Sequence, residues 1–286
     1  MKLALSTSSI VITEEALEDC KKAGIGAIEI SAGLKSNADV IDFFAIKEMA
    51  ERIGIDLWSF HLPFVPFEII DISQPSLAQD TVEYFCSLID KATAIGIRTF
   101  VVHSSGEPIE EADRAERLEC AKVSLRRLAE YAESKGVTIA VEDLPRTCIG
   151  RDSSDILSLI SSHPSLRVCF DTNHLLGEDI GAFIDAVGDK IATTHISDYD
   201  FINERHWLPG EGQIDWVKLK NMLSAKGYEG PWLYEVGLLG SNWTIDRPRC
   251  LTREDISRNF DEIMSDVAPT PVGIAKRDLP MFKPEK

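Results

Sequence analysis

Short runs of β-branched and apolar residues alternate with longer stretches in which apolar side chains recur every three or four positions, and this continues from the first residues to about residue 266. The short runs predict strands over residues 2–6, 27–30, 56–60, 99–102, 138–141, 167–170, 192–196 and 232–236. Between them lie helical faces with their own stop signals. Phe43, Ile46, Ala50 and Ile53 share one face ahead of Gly54, and Leu118, Ala121, Leu125, Leu128 and Ala132 share another ahead of Gly136. Asp215 is placed to cap a helix carrying Trp216, Leu219, Met222 and Leu223, which Gly227 ends. Eight strands with intervening helices predict a closed (β/α)₈ barrel, an α/β fold in a single domain over residues 1–266. Residues 267–286 are proline-rich and aperiodic, and are expected as a C-terminal extension or as an arm on a neighbouring subunit of a homo-oligomer.

Composition narrows the partners. With 44% hydrophobic and 27% charged residues, the 286-residue chain has the balance of a globular enzyme. Its 47 acidic against 30 basic residues give a net charge of −17, which disfavours nucleic acid and anionic membranes because both attract clustered Lys and Arg. No apolar run is long enough to span a bilayer, and the start turns polar at Ser6-Thr7-Ser8-Ser9. The six cysteines form no C-x-x-C pair. A cytoplasmic location with reduced thiols is the expectation.

In a barrel of this kind the active site lies at the C-terminal ends of the strands. Strand three ends at His61, strand four at His103, strand five at Glu142 and strand six at Asp171, while strands seven and eight supply His195 and Glu235. His174 and His206 follow in the loops just beyond. Any one of these alone reads equally well as a polar residue closing a strand. Glu142, Asp171, His195 and Glu235 together would repel one another in a low-dielectric mouth unless a cation neutralised them, so one divalent metal ion is expected there. A donor set that is mostly oxygen favours Mn²⁺, Mg²⁺ or Co²⁺, and also suits Zn²⁺.

Four stretches carry a resemblance: Val102-His103-Ser104, Phe170-Asp171-Thr172-Asn173-His174, His195-Ile196-Ser197-Asp198, and Leu208-Pro209-Gly210-Glu211-Gly212 followed by Ile214-Asp215-Trp216. The chain resembles, over about the whole barrel, the xylose isomerase-like TIM barrel superfamily of sugar and sugar-phosphate isomerases and epimerases, which also holds endonuclease IV. The epimerase branch implies that Glu142, Asp171, His195 and Glu235 bind one metal ion, that Glu142 and Glu235 act as acid and base, and that His174 touches a substrate oxygen. A metal holding adjacent carbonyl and hydroxyl oxygens acidifies the C–H between them, and the proton returns to the other face or to the neighbouring carbon. The expected activity is therefore epimerisation or isomerisation of a sugar or sugar derivative. Dehydration from the same enediolate, and a sugar-binding protein without turnover, are alternatives.

One departure from that branch follows strand five, where Glu142-Asp143-Leu144-Pro145-Arg146 offers an arginine in place of a second glutamate. Arg146 is a candidate contact for an anionic substrate group, or else half of a surface ion pair. His61, His103 and His206 are expected to line the substrate pocket or to support it, with Trp207 and Trp243 against the apolar face of a sugar. Glu29 either orients the pocket or caps strand two, and Asp198 either touches substrate or fixes a loop. Similarity to endonuclease IV implies instead a trinuclear zinc nuclease for abasic sites, whose ligands map onto His61, His103, Glu142, Asp171, His174, His195, Glu204, His206 and Glu235. The acidic net charge and the absence of a basic, aromatic-interleaved loop weigh against it.

Overall fold

The computed structural model describes residues 1–284. In chain order the elements are β1 (Leu3–Ser6), α1 (Glu14–Lys22), β2 (Ala27–Ser31), α2 (Lys35–Asp39), α3 (Phe43–Ile53), β3 (Asp56–His61), α4 (Ala78–Ala94), β4 (Thr99–Val102), α5 (Arg114–Lys135) and β5 (Thr138–Glu142). There follow α6 (Ser153–Ile160), β6 (Arg167–Asp171), α7 (Ile180–Val187), β7 (Ile191–His195), α8 (Trp216–Ala225), β8 (Trp232–Tyr234), β9 (Ile245–Asp246), α9 (Arg253–Met264) and β10 (Ile274–Ala275). The helices stop and start where the chain carries the chemistry for it. Asp42 accepts the Ala45 N–H at the head of α3, and Asp215 accepts the Lys218 N–H at the head of α8. Gly54 and Gly136 end α3 and α5 at φ of 78° and 67°, a conformation that only glycine adopts cheaply.

The eight long strands form one parallel sheet in the order β7-β6-β5-β4-β3-β2-β1-β8. Closure comes from a bridge between Ile196 and Tyr234, in which the Ile196 N–H donates to Leu233 O (2.8 Å) and the Glu235 N–H donates to Ile196 O (3.0 Å). The seam of the barrel thus sits beside His195 and Glu235 and sets their separation. Inside, the lumen is filled by small side chains, Ala4 and Ala27 with Leu233 in one cluster and Val101, Ala140 and Cys169 in another. Trp58 packs against the first of these, its indole N–H donating to Thr193 Oγ1 on β7 at 3.2 Å. The larger apolar core lies between sheet and helices.

The C-terminal segment folds over the mouth of its own barrel. β10 pairs antiparallel with β9, Gly273 N–H donates to the buried Glu211 carboxylate (2.7 Å), and the carbonyls of Pro280 and Met281 accept from Arg205 and Asn203. Among the described residues no helix is long and apolar enough to cross a membrane, and all six cysteines are free thiols.

Candidate metal centre

Parallel strands in register carry their last side chains to one level. Asp171 lies beside His195 in the β6–β7 pairing, Glu142 ends β5, and Glu235 follows β8 directly past the seam. One ligand atom from each of Glu142, Asp171, His195 and Glu235 falls within 4.8 Å of the others. His195 Nδ1 is the hub, 2.7 Å from Glu142 Oε1, 3.2 Å from Glu235 Oε2 and 3.8 Å from Asp171 Oδ2. Its Nε2 faces Glu29 at 3.1 Å, and Glu29, wholly buried, is held by the hydroxyls of Ser6 (3.1 Å) and Ser59 (2.9 Å). That arrangement leaves Nδ1 to face the three carboxylates.

The tetrad suits a divalent cation on its own geometry. Asp171 Oδ2 is buried with no hydrogen-bond partner, while Oδ1 accepts the Asn173 N–H at 2.7 Å. An orphaned carboxylate oxygen in a buried acidic cluster is the group a cation would satisfy. Burial and the neighbouring carboxylates push Asp171 up to about 6, despite the histidines beside it. Burial acts on Glu142 in the same direction, but His195 and His103 outweigh it and hold Glu142 well below the usual carboxylate range. Burial disfavours charge on His195, yet the acidic groups around it, Cys169, Glu29, Glu142 and Glu235, hold its pKa well above the ordinary value.

Two further clusters adjoin the tetrad. His61 Nε2 and His103 Nε2 each lie 3.0 Å from Glu142 Oε2, and His61 Nδ1 donates to Leu62 O. Burial opposes protonation of His61, but Glu142 and Glu29 raise it to about 8. On the other side, His174, Glu204 and His206 converge within the same 4.8 Å limit, with His174 Nε2 2.9 Å from Glu204 Oε1 and Nδ1 donating to Asp143 O. His174 Nε2 is also 3.7 Å from Asp171 Oδ2, so the three clusters are contiguous.

Arg146 and Trp207 sit differently from the roles expected of them. The Arg146 guanidinium forks onto both Glu107 oxygens and also reaches Asn203 and Glu204, so an incoming anion would meet a cation already neutralised twice. Trp207 pairs with Asp198 across an antiparallel bridge that turns its ring inward; it is 1% exposed, with its indole N–H on Thr244. Trp243 is half-buried, with the Arg205 guanidinium 5.4 Å from its ring centre. Asp198 fixes a loop, accepting from the backbone of Tyr199, Gly210 and Ile214 and from the Trp216 indole. Glu107 was not foreseen, since nothing local marks it as the partner of an arginine 39 residues away.

A closed eight-stranded parallel barrel with an acidic and histidine-rich mouth defines the class to which this protein belongs. The chain is a member of the xylose isomerase-like TIM barrel family, whose profile matches residues 17–256. It is 26% identical over 267 residues to D-psicose 3-epimerase of Ruminiclostridium cellulolyticum, covering 87% of this chain and 86% of that protein. It is 28% identical over 141 residues to fructoselysine 3-epimerase of Escherichia coli O157:H7, a match to 47% of this chain that spans only 50% of that relative. Among solved structures, a D-tagatose 3-epimerase-like protein superposes with a TM-score of 0.78 at 19% identity, over 93% of this chain and 98% of the other.

Proposed function

We propose that this protein is a divalent-metal-dependent epimerase or isomerase of a sugar or sugar derivative. The observation that carries the proposal is the approach of Glu142 and Glu235 to the same His195 Nδ1, at 2.7 and 3.2 Å, with the unpartnered Asp171 oxygen in the same cluster. Glu142 arrives from β5 and Glu235 from the end of β8, with β6 and β7 between them, so the two carboxylates address a molecule in the mouth from different sides. Glu142, Asp171, His195 and Glu235 would hold one Mn²⁺, Mg²⁺, Co²⁺ or Zn²⁺, which supplies Lewis acidity toward neighbouring carbonyl and hydroxyl oxygens.

The acid–base work falls to the two glutamates. One takes the proton from the carbon between carbonyl and hydroxyl, and the other returns a proton to the opposite face, giving the epimer. Return to the adjacent carbon gives the isomer instead. Contacts from His61, His103 and His195 favour the carboxylate form of Glu142. His174 engages Asp143 O through Nδ1 and Glu204 through Nε2, so a substrate oxygen would take its proton only in exchange for the Glu204 contact, while His61 and His103 hold the Glu142 Oε2. The names of the relatives, two 3-epimerases of ketose substrates, support this chemistry.

The test is solvent exchange. Metal-loaded protein in deuterated water should place deuterium at a carbon next to the carbonyl of at least one ketose in a broad panel, and Glu142→Gln and Glu235→Gln should each lower that rate by at least about a thousandfold. Full exchange in either variant would overturn the assignment of that residue. A second reading, the trinuclear zinc nuclease for abasic sites, draws on the three contiguous ligand clusters. Metal content per chain separates the two: about one ion fits the epimerase, and three zinc ions with cleavage of abasic DNA would replace it.

A further inference from the structure

The ligand cluster does not end at the tetrad. From Asp171 it continues through His174 to Glu204, on to Arg146 and then to Glu107. Beyond Arg146 opens a cleft of about 640 Å³, within the roughly 300–1,000 Å³ of small-molecule sites. None of its lining residues belongs to the tetrad, so it is additional to the space in which the chemistry would occur. Pro108, Leu176, Met281 and Phe282 give it apolar walls, and Arg151 stands at the rim, 3.9 Å from Asp152.

The wall made by the C-terminal segment is held by its backbone and not by burial of its side chains. Asn203 Nδ2 donates to Met281 O at 2.7 Å and Arg205 Nη2 to Pro280 O at 2.9 Å, while Phe282 remains 62% exposed. These anchors lead back to the tetrad: the Arg205 N–H donates to Asn173 Oδ1, and the Asn173 N–H donates to Asp171 Oδ1. Two apolar side chains thus stand on a cleft whose Arg146 wall is linked, through Glu204 and His174, to Asp171. Exposed apolar side chains held by polar backbone contacts next to a site have the form of a ligand wall. Of the two cations that line the cleft, Arg146 is already occupied by Glu107 and Glu204 and Arg151 stands beside Asp152, so the cleft is poorly suited to a phosphate.

We propose that the cleft receives an apolar substituent carried by the sugar, so that the substrate is a conjugated ketose and not a free or phosphorylated one, with Met281 and Phe282 as specificity-determining contacts. This deepens the epimerase reading and rests on it for the identity of the sugar part.

The experiment takes the free ketose that exchanges fastest in the panel, its 1-benzylamino-1-deoxy and 6-O-benzyl derivatives, and its 6-phosphate. Deuterium exchange is followed with the Mn²⁺-loaded protein and with the Met281→Ala/Phe282→Ala double variant. One benzyl derivative should show kcat/KM at least about tenfold above the free ketose, mainly through KM, the phosphate should show no such gain, and the double variant should bring the benzyl preference close to one. Benzyl derivatives no better than the free ketose, a preference for the phosphate, or a benzyl preference intact in the double variant would each overturn the inference while leaving the epimerase reading in place. If no ketose exchanges, the epimerase reading fails, and the cleft is judged by calorimetry with N-benzyl-D-glucamine and D-glucamine, neither of which can turn over. Binding of the benzyl compound about tenfold tighter, lost in the double variant, supports the cleft as an apolar subsite; equal binding of the two counts against it.

Discussion

Replacing Glu29 tests whether the metal centre is built from the second strand as well as from the last four. Glu29 is fully buried and has three partners, the hydroxyls of Ser6 and Ser59 and the Nε2 of His195. Burial would raise its pKa, but His195, His61 and Ser59 hold it below the ordinary value, so its charge at neutral pH is part of the arrangement. Glu29→Ala strands two hydroxyls and one imidazole N–H in the interior, and breaking a buried pair of this kind costs about 3–5 kcal/mol. For a chain of 286 residues, with an unfolding entropy of about 2.1 cal/mol/K per residue, that corresponds to a fall in Tm of about 5–8 °C. Freed of its orienting carboxylate, His195 should bind metal about 10–100-fold more weakly, or about 1.4–2.8 kcal/mol. Glu29→Gln keeps the shape and an acceptor oxygen and should lose less of both. The assay is competition for Mn²⁺ against a fluorescent chelator, paired with thermal unfolding by circular dichroism. A folded Glu29→Ala protein that binds Mn²⁺ within about twofold of wild type would show that His195 does not depend on Glu29, and the reasoning would fall.

The other expectations are simpler to read. Adding saturating Mn²⁺ to chelator-treated protein should stabilise it by about 2.7 kcal/mol at a hundredfold excess over Kd, and an unchanged Tm in scanning fluorimetry would count against a built site. Asp198→Ala leaves three backbone N–H groups and the Trp216 indole without their acceptor, and should cost about 3–5 kcal/mol in a denaturant titration. Gly212→Ala should be comparably damaging, because its Cβ would meet Asp198 and the Tyr199 carbonyl. Arg249 holds Asp255, at the head of α9, at about 2, below the value of about 3.9 for an unfolded carboxyl. The folded pKa is the lower, so this contribution is present above about pH 4 and lost as pH falls toward 2. Because Arg249 is half exposed, it amounts to about 1 kcal/mol, and Asp255→Asn should flatten stability against pH in that window.

Much of the architecture was legible in the chain itself. Strand and helix periods, with Gly54, Gly136 and Asp215 as stop and start signals, depend on local sterics and on which face is buried, and those are properties of short segments. The barrel follows from their order, because parallel strands require helical crossovers and eight of them close. The same logic brings Glu142, Asp171, His195 and Glu235 to one level, since each follows an apolar strand. What the order of residues could not state is which atoms face one another. His195 meets Glu29 across 166 positions and Arg146 meets Glu107 across 39, and only barrel closure and loop packing bring those pairs together. Loop packing likewise turns Trp207 inward, through its bridge to Asp198, and lays the segment after residue 266 across the mouth, pinned by Glu211, Asn203 and Arg205. A strand's period tells which side of the sheet a side chain takes; its partner is decided by the three-dimensional path of the whole chain.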